Sequence, residues 1–180
     1  MAAVMHEVIE LGGMEIRFLV EGGVSSGSVA VFEFDVPAEA KLPVAHSHDA
    51  YEETIYGLRG VVTFTIEGVP VDIGPGDAVC IPRGAVHRFD NTGAEDASAL
   101  AIVTPGILGP EYFRELAAVV QAAAGGPPDP AEIAGLFAEA LRGPFQGAFA
   151  DVVFAVLDTS AERRFIRPFE HIFGGAGGAT

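Results

Sequence analysis

The chain has 180 residues, 49% of them hydrophobic, which is enough for one domain with its own core. Acidic residues outnumber basic ones by 25 to 10, for a formal net charge of −15, so nucleic acid and anionic membrane surfaces would repel it and the expected partners are small molecules, cations or a second copy of the chain. Cys80 is the only cysteine, which excludes an internal disulfide; the start, with Glu7 and Glu10, lacks the basic and apolar regions of a signal peptide, and no apolar run reaches the length of a membrane span, so a soluble cytoplasmic protein is expected.

Residues 1–105 read as β structure. "MEIRFLVEGG" and "VAVFEFDV" alternate apolar and polar residues, the period of a half-buried strand, and "VVTFTIEG", "DAVCIPRG", "VHRFDN" and "SALAIVT" continue the pattern. Turns fall between them at Gly12-Gly13, Gly22-Gly23, Pro75-Gly76-Asp77 and Pro82-Arg83-Gly84. Many short strands with regular turns indicate a sandwich or barrel. Alternation turns Phe32, Phe34, Ile55, Phe64, Ile66, Val79, Ile81 and Phe89 inward, and Cys80 reads as a buried strand residue.

The pattern changes in residues 106–143. In "PEYFRELAAVVQAAAGG", Pro110 suits the first helical position and Gly125 the end. In "DPAEIAGLFAEALRGP", Asp129 and Glu132 form a capping box ahead of one apolar face. These two helices are expected to pack on the barrel or on a second subunit. Residues 144–180 form a Phe-rich extension with a glycine-rich tail, in which "FADVVFAVLD" reads equally as strand or helix.

The chemistry concentrates in "PVAHSHDAYEETIYGLRG". His46 and His48, two apart on a strand, point to one face with origins roughly 7 Å apart, close enough to converge on one ion. Of Glu52 and Glu53, alternation with Ile55 selects Glu53 as the inward one and leaves Glu52 to solvent. His87 follows in "PRGAVHRFDN". Three imidazoles and one carboxylate on neighbouring inward faces suit a divalent transition metal. Each part alone has an ordinary reading: H-x-H by chance, a solvated acidic turn, a core histidine bonded to backbone. His6 and His171 lack ligand spacing and read as structural or surface residues.

Together the parts read H-x-H-x4-E-x6-G, met by His46, His48, Glu53 and Gly60, then G-x5-P-x-G-x2-H-x3-N, met by Gly76, Pro82, Gly84, His87 and Asn91, with fifteen residues between Gly60 and Gly76. This resembles the two-motif signature of the cupin superfamily, lacking only the glycine that heads the first motif. The resemblance covers about residues 28–104 and is closest to small single-domain cupins similar to quercetin 2,3-dioxygenase. It implies an all-β fold, a double-stranded β-helix (jelly-roll) barrel followed here by C-terminal α-helices. It also implies His46, His48, Glu53 and His87 as ligands of one divalent metal ion, with Fe, Mn, Ni, Co, Cu and Zn all compatible.

An apolar, aromatic interior suits an aromatic or enolic substrate better than a sugar phosphate, because Arg59, Arg83 and Arg88 fall at turns or on the outer face. The expected activity is a metal-dependent dioxygenase in which Glu53 is both ligand and base, with Tyr51 at the mouth and Phe32, Phe64 and Phe89 against the substrate. The alternatives are a sugar or keto-acid isomerase and a non-catalytic metal or small-ligand binding cupin. A homodimer is expected, since sheet edges and surplus apolar surface are usually covered.

Overall fold

The computed structural model describes residues 7–40, 45–122 and 152–155. Its strands are β1 (Val8–Leu11), β2 (Met14–Val20), β3 (Ala30–Val36), β4 (Ala45–His48), β5 (Glu52–Arg59), β6 (Val62–Ile66), β7 (Val69–Ile73), β8 (Ala78–Ile81), β9 (His87–Asp90), β10 (Ala97–Thr104) and β11 (Val152–Ala155), with one described helix, α1 (Pro110–Ala122), between β10 and β11. They form two antiparallel sheets, in the orders β1-β2-β3-β10-β5-β8 and β11-β4-β9-β6-β7. From β3 to β10 the chain passes repeatedly from one sheet to the other, so the histidines of both motifs share one sheet and Glu53 faces them from the other. This is a double-stranded β-helix with a helix after the barrel.

Period-two alternation builds the core between the sheets. On β3, Ala30, Phe32, Phe34 and Val36 are buried while Val31, Glu33 and Asp35 are half-buried on the outside. On β10, Ala97, Ala99, Ala101 and Val103 are fully buried, and their small side chains leave room for the rings opposite. Phe32 lies 5.1 Å from Phe18 and Phe34 lies 5.3 Å from Phe89, centroid to centroid. Phe89 stacks on Phe64 at 5.2 Å. Of the other residues expected to face inward, Ile55 and Ile81 are buried, and Ile66 and Val79 pack against the core.

Two strands carry no clear signal in the sequence. β1 is only four residues, and β7 contains Pro70; β7 tolerates it because it is a sheet edge, where a missing N–H costs no ladder bond. Cys80 corrects an expectation: it is exposed. It lies on edge strand β8, where positions 78 and 80 face out while Val79 and Ile81 face in.

Pro110 opens α1 as expected. The helix docks through Phe113, whose ring sits 5.8 Å from Phe18 and 5.1 Å from Phe32, and through buried Val119. An exposed pairing of Arg114 with Glu7 and Glu111 trims this contact and adds little stability. The second expected helix, at 129–142, lies outside the described residues, as do His6 and His171. Within "FADVVFAVLD", Val152–Ala155 is a strand paired antiparallel with β4, opposite the segment that holds both histidines.

Candidate metal centre

β4 presents His46 and His48 on one face, and β9 places His87 directly opposite His46. The three rings close into a triangle, with centroids 5.3 Å (46–48), 4.4 Å (46–87) and 4.7 Å (48–87) apart. One nitrogen from each lies within 4.8 Å of the others. Glu53 arrives from β5 in the facing sheet, and its Oε2 is 3.5 Å from Nε2 of both His48 and His87.

That spacing is long for a hydrogen bond. Two donors each about 2.1 Å from a shared ion at a tetrahedral angle stand about 3.4 Å apart. The protonation pattern points the same way. His87 Nδ1 is 2.9 Å from the Ala85 carbonyl, so it carries the hydrogen and donates. In the neutral ring Nε2 is the bare nitrogen; it is buried and faces a carboxylate oxygen, with no hydrogen-bond partner among the described residues. Two acceptors aimed at one point repel unless a cation lies between them. His48 is held neutral: burial first, then the neighbouring His46 and His87, push its pKa from 6.5 down to about 2. Imidazoles and one carboxylate suit a divalent metal ion, and His46, His48 and His87 can hold one.

The faces of β5 separate the two glutamates. Glu53 has a side chain only 12% exposed, whereas Glu52 points out and pairs with Arg83 at 3.3 Å. Tyr51 departs from its expected place at the mouth: it is 2% exposed, and its ring stacks on His48 with centroids 4.1 Å apart and planes 20° from parallel. The bend at residues 49–50 turns the chain back, laying residue 51 over residue 48. Phe32 and Phe64 are buried among other rings, and Phe89 is half-buried. Tyr112, which the sequence pattern did not single out, enters from the first turn of α1. Burial, and secondarily the charge of Glu53, raises its phenol above the ordinary range. Only the docking of α1 brings residues 53 and 112 near each other.

The remaining motif residues are scaffold. Asn91 is buried, donates to the carbonyls of Val36 (3.0 Å) and Glu95 (2.9 Å), and accepts from Gly93 N–H (2.9 Å). Gly60 has φ +63°, and a Cβ there would stand 2.8 Å from the Asp96 oxygen. Gly84 N–H donates to the His48 carbonyl at 2.8 Å and ties the turn before β9 to the end of β4.

Comparisons with known proteins agree with this architecture. Residues 32–103 match the family model described as Cupin domain. Over 73 residues the chain is 30% identical to quercetin 2,3-dioxygenase of Bacillus subtilis (strain 168), a stretch that is 41% of this chain but 21% of that protein, so the chain spans about a fifth of this relative's length. Among solved structures, KdgF from Halomonas sp. aligns with a TM-score of 0.50 at 15% identity, covering 59% of this chain and 91% of that one. A predicted oxalate decarboxylase from Thermotoga maritima aligns with a TM-score of 0.50 at 24% identity, covering 57% and 93%. These two likenesses establish the fold alone. With the three histidines on one sheet, Glu53 on the facing one and a family match across the barrel, residues 32–103, less than half of the chain, are similar to a cupin domain.

Proposed function

We propose that the protein is a metal-dependent dioxygenase acting on a small enolic or aromatic molecule, with one divalent transition metal held by His46, His48, His87 and Glu53. The observation that carries this reading is the facing of three imidazoles and one carboxylate across the two sheets, with Glu53 Oε2 3.5 Å from two ring nitrogens. The likeness to quercetin 2,3-dioxygenase over 73 residues supports the choice of reaction class.

A metal ion bound there supplies Lewis acidity toward a substrate oxygen and a place for dioxygen to react. His48 and His87 are buried, and His46 is the most accessible of the three rings, so the substrate approaches on the His46 side. Glu53 is the carboxylate facing that point and takes the proton of the substrate's enol or phenol hydroxyl as the substrate binds. Phe89, half-buried, offers its ring to the substrate, backed by Phe64 and, through Phe34, by Phe32. Arg59, Arg83 and Arg88 point away, to Asp35, Glu52 and Asp90, which disfavours a phosphorylated substrate.

The test is metal analysis of purified protein, reconstitution with each candidate ion, and an oxygen-uptake screen with flavonols and β-diketones. Uptake that requires both metal and substrate is expected. Interconversion of keto and aldo isomers without oxygen would replace this reading with an isomerase. Tight binding without turnover under either condition would leave a binding protein.

A further inference from the structure

Histidine ligands are normally oriented through their second nitrogen, which donates to a carbonyl or carboxylate behind the ring. His87 follows this rule through Ala85. His48 does not: its Nδ1 is buried and has no hydrogen-bond partner among the described residues. Something else must fix the ring plane, because an imidazole otherwise turns broadly about its terminal torsion. The Tyr51 ring lies against it, 4.1 Å between centroids and 20° from parallel. Tyr51 is itself immobilised, being 2% exposed in the core. The His48 carbonyl is held by Gly84 N–H at 2.8 Å, so backbone and ring are clamped from two sides.

We propose that Tyr51 is a positioning residue for His48, supplying by ring stacking the orientation that an outer hydrogen bond supplies to His87. The contact is aromatic, so the face of the ring supplies the positioning. Rotation of His48 Nε2 away from Glu53 and His87 would cost the site one donor without unfolding the barrel. This inference rests on the metal reading of the site and not on the reaction proposed for it.

The test compares wild type, Tyr51→Phe and Tyr51→Leu. Metal affinity is measured by chelator competition, the visible spectrum of the cobalt(II) form is recorded, and fold is followed by circular dichroism. Tyr51→Phe is expected to bind within about 3-fold of wild type with an unchanged cobalt spectrum. Tyr51→Leu is expected to keep the β spectrum but bind about 10- to 100-fold more weakly, the scale of a lost outer partner, with an altered cobalt spectrum. Wild-type affinity and spectrum in Tyr51→Leu would overturn the inference alone, as would equal losses in both variants, which would assign the effect to the hydroxyl. A wild type that binds no metal would overturn the reading of the site and this inference with it. Should Tyr51→Leu fail to fold, the His48 ring protons of the wild type decide: the stack requires an upfield ring-current shift, and its absence would refute the proposal.

Discussion

Glu52 and Glu53 are adjacent, yet a single step along β5 separates a solvated ion pair with Arg83 from a carboxylate aimed at two imidazoles, His48 and His87. Substitution should expose that difference. His46→Ala, His48→Ala and His87→Ala are each expected to lose most bound metal and stay folded, whereas Glu52→Ala should be nearly silent; metal content by elemental analysis checks all four. If Glu52→Ala stripped the metal and Glu53→Ala did not, the assignment of faces would be wrong. Glu53→Gln keeps the size but not the basicity, so with excess metal it should still bind substrate and turn over at least about 100-fold more slowly, the usual scale of a lost general base.

His48 also sets a pH dependence in the metal-free protein. Its ring stays neutral in the fold down to about pH 2, while in the unfolded chain it takes up a proton below 6.5. The unfolded state therefore binds more protons between these limits, so stability is full above pH 6.5 and falls as pH drops below it, with a slope of up to about 1.4 kcal/mol per pH unit. Denaturant midpoints of metal-free wild type should decline from pH 7 to pH 5, and His48→Asn should flatten that decline.

At the scale of elements, α1 is anchored by an aromatic cluster rather than by its exposed ion pairs. Phe113→Ala removes a half-buried ring from Phe18 and Phe32 and is expected to cost about 2 kcal/mol, below the full-burial range for Phe→Ala, measured by denaturant unfolding. The tie between β5 and β10 is stricter at Gly60, where any Cβ meets the backbone of residues 96 and 97 at under 3 Å and φ is positive. Gly60→Ala should therefore destabilise by about 2 kcal/mol or more without touching a metal ligand. The motif residues thus divide by purpose: the histidines and Glu53 face the site, while Gly60, Gly84 and Asn91 hold the turns that bring them there.

At the scale of the whole molecule, the outer face of the six-stranded sheet combines half-buried Val31, Leu100 and Ile102 with exposed Tyr56 and Leu58. The charges beside it are paired within the sheet, Arg17 with Glu33 and Arg59 with Asp35, which spares this face the repulsion expected of a chain with net charge −15. A second copy is the expected occupant. Sedimentation should give a dimer at micromolar concentration, reduced to monomer by Tyr56→Glu with Leu58→Glu; a wild-type monomer would count against it. Among the described residues no helix is long and apolar enough to cross a membrane.

The sequence by itself determined the strands that alternate, the identity of the inward glutamate and the three histidines able to meet at one ion. These follow from local periodicity, which depends on which face a residue shares and not on what lies opposite. It was silent on β7, where Pro70 hides a strand that only its place at an edge permits, and it misread Cys80, because one apolar residue looks the same on either face of an edge strand. Tertiary structure alone decided that Glu53 faces His48 and His87 across two sheets, that Tyr51 folds back onto His48 instead of standing at the mouth, and that α1 carries Tyr112 toward Glu53. The first and last are contacts between segments whose separation along the chain encodes no distance, so they exist only once the sheets have closed on a common core; the Tyr51 stack is local, made by the bend at residues 49–50, which alternation does not register.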